Sequence, residues 1–141
     1  MQAANSATLG TLAAQTLPSM PRRVLDQSRI HPAIRDAVAN HHADIVHNVQ
    51  AATLSNTVLV VGMAMNPHCR RARKLLATAG VSFHYLEYGG YFSQWRDRNA
   101  LKMWTGWPTF PMVFVKSTLV GGASNVARLI DSGELKRMLS A

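Results

Sequence analysis

The chain carries one thiol, Cys69, in the stretch NPHCRRARKLL that runs from Asn66 to Leu76. An apolar run, Thr57 to Met63, precedes it, and Pro67 marks a turn between the two. The pattern reads as a strand, a turn, and a helix that opens at the cysteine. The first N–H groups of such a helix lack partners and would point toward the sulfur, and Arg70, Arg71, Arg73 and Lys74 follow within two turns. Both features favour thiolate over thiol, so the chemistry on offer is nucleophilic exchange at sulfur, with Arg70 and Arg71 as thiolate-stabilising cations. The competing reading of a lone cysteine is a buried structural residue.

Other residues that could do chemistry are less persuasive. His31, His41, His42 and His47 invite a metal reading, but His41 and His42 are adjacent and point in different directions, and no i, i+4 pair occurs. They read as solvated helix histidines. One cysteine excludes an intramolecular disulfide and a cysteine-rich zinc site, which suits a reducing compartment. The net charge of +8 lies mostly from Asn56 onward and so belongs to the folded part. It suits an anionic small ligand; without aromatic platforms or zinc-finger spacing it does not argue for nucleic acid.

The elements that must position the thiol follow from pattern. At 141 residues and 48% apolar the chain suits one core plus an extra segment, and no apolar run reaches the ~20 residues of a membrane span. Residues 1–28 begin with an uncharged Ala/Ser/Thr/Gln stretch that reads as a mobile tail. It lacks a secretory signal, and its late Arg22-Arg23 pair makes mitochondrial targeting the alternative to a cytoplasmic location. Residues 29–55 read as a helical segment, with Pro32 at a first helical position and a break near Asn40-His41. Residues 56–141 then alternate. A strand spans Thr57 to Met63, a helix Pro67 to Ala79, a second and parallel strand Val81 to Leu86, and a helix Ser93 to Met103. A hairpin of Met112 to Val115 and Thr118 to Val120 follows, and a helical region from Gly121-Gly122 to Leu139 is interrupted at Ser132-Gly133. Trp104 and Trp107 are expected to pack the helix end and the proline loop, and Tyr85, Tyr88, Tyr91 and Trp95 to cover the sheet edge.

Four landmarks stand in order along this chain: Pro67-His68-Cys69, WPTFP at 107–111, LVGG at 119–122 and SGEL at 132–135. In these it resembles the glutaredoxins, particularly the single-cysteine ones, over about residues 42–139. The resemblance implies an α/β, thioredoxin-like fold with a central four-stranded mixed sheet flanked by helices, here with the extra N-terminal helical segment. It implies a cis peptide before Pro111. It implies a glutathione site built from Arg98, Thr109, Phe110, Pro111, Gly122, Ala123 and Ser124, with Arg98 on the glycine carboxylate and the helix N-terminus after the double glycine on the other carboxylate.

The reaction so implied is deglutathionylation. The Cys69 thiolate attacks a glutathione mixed disulfide, glutathione transfers to Cys69, and the substrate thiol leaves. A second glutathione then resets the protein, since Ala72 takes the place of the second cysteine of two-cysteine members. Partners would be glutathione and glutathionylated or disulfide substrates, with no membrane. Two alternatives stand beside this. One is a [2Fe–2S] carrier or sensor, with Cys69 as the metal ligand and a homodimer formed through the cluster and two glutathiones. The other is a catalytically weak binding module, suggested by Arg70-Arg71-Ala72 where Gly-Phe-Ser is usual. Asn66 standing near the place of a lysine, and Ser124-Asn125 in the place of an acid, suggest the same.

Overall fold

The computed structural model describes residues 24–141; most of the expected tail, 1–23, lies outside them. The chain divides into two compact units between Val38 and Ala39. In the first, a short 3-10 turn at Gln27–Arg29 is capped by Asp26, whose carboxylate accepts the Ser28 N–H. Helix α1, Pro32–Asn40, starts at the expected proline.

The second unit holds α2 (Ala43–Ser55), β1 (Val58–Gly62), α3 (Pro67–Thr78), β2 (His84–Glu87) and α4 (Trp95–Thr105). These are followed by β3 (Met112–Val115), β4 (Thr118–Gly121), α5 (Ala123–Asp131) and α6 (Glu134–Ser140). The four strands form one mixed sheet in the order β2-β1-β3-β4. β1 runs parallel to β2 and antiparallel to β3, and β3 turns back into β4. The β3–β4 turn places Lys116 and Ser117 both at positive φ, as a tight two-residue hairpin turn requires.

All five residues of β1 are buried, the signature of a central strand covered on both faces. Alternation along the strands divides the core. Leu59, Val61, Met112 and Phe114 face Ile45 and Val49 of α2 and Leu101 of α4. Val58, Val60, Val113 and Val115 face Leu76 of α3, Val126 of α5 and Leu135 of α6. Burying a side chain such as Leu59 or Leu76 contributes ~1.5–3 kcal/mol, so this three-layer core fixes where the ends of β1 and β3 stand.

Three local expectations are corrected. β2 starts at His84 rather than Val81, because Val81 and Phe83 pack against the core without joining the ladder. Helix α4 starts at Trp95 behind Gln94, while the Ser93 hydroxyl accepts the Gly90 N–H instead of capping the helix. Tyr85 and Tyr88 do pack against the core, but Tyr91 and Trp95 stand largely exposed beside the fully exposed Phe92.

Candidate functional site: a groove beside a buried thiol

The start of α3 decides how the thiol is placed. Asn66 is the N-cap and Pro67 the first helical residue, so the helix opens two residues before the cysteine. Pro67 has no N–H. The Asn66 Oδ1 accepts the N–H groups of His68 (2.9 Å) and Cys69 (3.1 Å), and the Asn66 carbonyl accepts that of Arg70 (3.2 Å). The first turn therefore has no amide left for the Cys69 sulfur.

Cys69 is fully buried. A methyl group placed on Gly62 would come 2.9 Å from its Sγ and 2.9 Å from both Cε1 and Oη of Tyr85, so sulfur and phenol both press on the bare backbone at the end of β1. Burial pushes the thiol pKa up, and Glu87 adds to this. The Met63 N–H donated to the sulfur and the positive charge of Arg73 oppose it without overcoming it. The expectation of a thiolate at a helix start is corrected here: desolvation wins. Arg70 is exposed, and Arg71 reaches away to donate to Ser124 Oγ at 3.2 Å. The cation that acts on the sulfur is Arg73, absent from the expected site. Its signal was its spacing, four residues on and thus on the same helix face. Its guanidinium lies 4.1 Å over the Tyr85 ring.

The expected binding residues gather elsewhere. A groove of about 200 Å³ has Trp107, Thr109, Phe110 and Pro111 on one side and Gly122, Ala123, Ser124 and Asn125 on the other, with His68 contributed by α3. The Phe110–Pro111 peptide is cis, as the resemblance implied. Helix α5 starts at Ala123, and its first amides face no intrahelical acceptor. Asn125 Oδ1 accepts the Gly122 N–H at 3.0 Å. Gly121, at φ 113, must be glycine, since a methyl group there would lie 2.6 Å from Asn125 Cγ. The lining contains no carboxylate. Trp107 does line the groove, and its indole N–H is buried without a partner. His68, Trp107 and Asn125 were not among the expected ligands.

Arg98 is the clearest misplacement. It is 6% exposed, and its Nη1 donates to the carbonyls of Tyr88 (2.8 Å) and Ser93 (2.6 Å). It pins the loop between β2 and α4 and does not line the groove. His42, expected to be a solvated histidine, instead pairs with Asp97 of α4 at 2.9 Å. Among the described residues no cluster of three metal-binding side chains occurs, and no helix is long and apolar enough to cross a membrane.

Comparison with known proteins fits this geometry. The glutaredoxin family model matches residues 58–120. A glutaredoxin-like protein of Dictyostelium discoideum is 43% identical over 117 residues, 83% of this chain and 94% of that protein. The chain belongs to the glutaredoxin family. Monothiol glutaredoxin-4 of Schizosaccharomyces pombe is 33% identical over 99 residues, 65% of this chain but 39% of that longer glutaredoxin. The crystal structure of a buckwheat glutaredoxin–glutathione complex matches with a TM-score of 0.64 at 26% identity, covering 72% of this chain and 92% of that one.

As a glutaredoxin this chain has the sheet, the cis-proline loop and the double glycine of the expected fold. A [2Fe–2S] cluster shared between two copies does not fit it. A sulfur that bridges to a second subunit needs open surface, and Cys69 has none.

Proposed function

We propose that this chain is a glutathione-binding, single-thiol glutaredoxin whose exchange of glutathione mixed disulfides through Cys69 is slow. The observation that carries the reading is the groove between the cis-proline loop and the start of α5. An extended peptide can lie along the Thr109–Pro111 edge, and a carboxylate suits the α5 N-terminus, with Arg71 held at its rim on Ser124. Glutathione offers both, and the buckwheat relative is a glutathione complex. The exchange partners would be glutathionylated or disulfide substrates, in a reducing compartment such as the cytoplasm.

Exchange at Cys69 requires the thiol to lose its proton and to meet an incoming disulfide, and burial opposes both steps. Calorimetric titration with glutathione tests the binding half. Saturable binding is expected, retained in Gly122→Ala and lost in Gly122→Val. A methyl group at Gly122 sits at ordinary contact distance, 3.5 Å from the Pro111 carbonyl, whereas a branched side chain occupies the groove. No binding by the unaltered protein would refute the reading.

A second reading is full-rate exchange at Cys69. The Met63 N–H and Arg73 favour it, since both stabilise a thiolate there. It needs the first turn of α3 to open, and it predicts rapid labelling of Cys69 by a glutathione disulfide in the folded protein.

A further inference from the structure

Resting on the reading of the groove as a glutathione site, we infer that its α5 end selects a carboxylate with no ammonium beside it. The preferred ligand is then a peptide thiol like glutathione whose γ-glutamyl amine is missing or acylated, and Arg71 and Ser124 set that preference.

The polar groups at this end are donors or are already engaged. The N–H groups of Ala123 and Ser124 open α5 and have no acceptor within the helix. The Ser124 oxygen accepts the Arg71 guanidinium at 3.2 Å, which leaves the hydroxyl proton free to donate. Asn125 Oδ1 is engaged by the Gly122 N–H, so the amide offers a ligand its Nδ2 donors. Beneath them the Trp107 N–H is buried without a partner, 3.8 Å from a methyl group placed on Gly122. An acceptor bordering this end, the Pro111 carbonyl, is neutral and belongs to the edge along which the peptide lies.

The charges act in the same direction. Arg71 reaches the rim from α3, and Arg128 stands four residues after Ser124 on the same face of α5. Among the described residues neither arginine is held in an ion pair. The groove lining holds no carboxylate, and the first acid of α5, Asp131, is two turns beyond Ser124. A carboxylate here meets helix amides and a cation that reinforce one another. An ammonium beside it meets the same field as repulsion, loses water and gains no anionic partner. The γ-glutamyl end of glutathione carries both groups on its α-carbon, so part of the attraction is cancelled. Removing the amine removes the cancellation.

The test is calorimetry on the full chain at neutral pH and ~0.15 M salt, where distant charges are screened. The probes are glutathione and glutaryl-cysteinyl-glycine, which keeps both carboxylates and lacks only the amine. The glutaryl peptide is expected to bind about five-fold tighter. Ser124→Asp, which sets a carboxylate beside the site, should reverse the order, and Arg71→Gln should bring the two affinities together. Lys116→Gln, at the far end of the β3–β4 hairpin, removes the same charge away from the groove and should leave the ratio unchanged. Equal binding of the two probes by the native chain, or tighter binding of glutathione, overturns the inference while sparing the glutathione reading. A ratio that falls in Lys116→Gln as far as in Arg71→Gln also overturns it, assigning the preference to net charge. Binding of the glutaryl peptide alone supports the selection and refutes glutathione itself as the ligand. Binding of neither probe refutes the groove as a peptide-thiol site, and the inference with it.

Discussion

On the β3–β4 half of the sheet, the site is open and polar at its edges: the Trp107–Pro111 loop faces the Gly122–Asn125 turn across a groove. On the β1–β2 half, the only thiol of the chain is packed against Gly62 and Tyr85. One helix, α3, serves both, sending His68 to the groove and Cys69 into the core. The groove proposed to bind glutathione and the buried thiol are thus held by separate regions of the fold. The difference comes from three residues of sequence. Asn66 caps the helix, and the thiol follows at the third helical position, where side chains turn inward.

Variants at each region sharpen that contrast, and the largest effect falls on neither wall. Arg98→Leu leaves the carbonyls of Tyr88 and Ser93 without their shared charged donor and should lower stability by about 3 kcal/mol, read from urea unfolding. Glutathione affinity should stay the same, because Arg98 lies outside the groove; a large loss of affinity in a folded variant would restore the ligand role. Gly62→Ala comes next. Its methyl group collides with Cys69 Sγ and Tyr85 at 2.9 Å, and the overpacking should cost about 2 kcal/mol while glutathione binding persists. Asn66→Ala removes a cap that satisfies two amides and should cost about 1 kcal/mol.

The smallest effect is one of pH. Burial raises the thiol of Cys69 and, more strongly, the phenol of Tyr85 above their ordinary values, so the folded state holds these protons more tightly than the unfolded chain does. Stability is then full below the unfolded thiol pKa of ~8.5 and falls as pH rises through the folded values. The urea midpoint should decline in alkaline buffer, and Cys69→Ala should remove the earlier part of the decline. A midpoint that rises above pH ~8.5 would contradict the burial account.

Much of this was legible in the residues. The β-branched run of β1, Pro32 and the break after Asn40, the hairpin at Lys116-Ser117 and the interruption at Ser132-Gly133 appear where pattern put them. The groove residues Thr109 to Pro111 and Gly122 to Ser124 do converge. Three errors had physical causes. Arg98 looked like a ligand because sequence shows a charge but not the carbonyls of a loop folded back over it. Cys69 looked like an activated thiolate because it stands near a helix start among arginines, whereas Asn66 takes the first amides and the sulfur itself is buried. Arg70 and Arg71 were assigned to the thiol from adjacency, whereas helical spacing gives Arg73 that place.

The claim that binding and sulfur chemistry are separated is tested most directly by the rate of iodoacetamide labelling of Cys69 in the native protein as pH is varied. The account predicts slow labelling at neutral pH, a midpoint above the ordinary ~8.5 and a large acceleration once urea unfolds the chain. Fast labelling of the folded protein, with a midpoint below 7, would contradict it and return Cys69 to the groove.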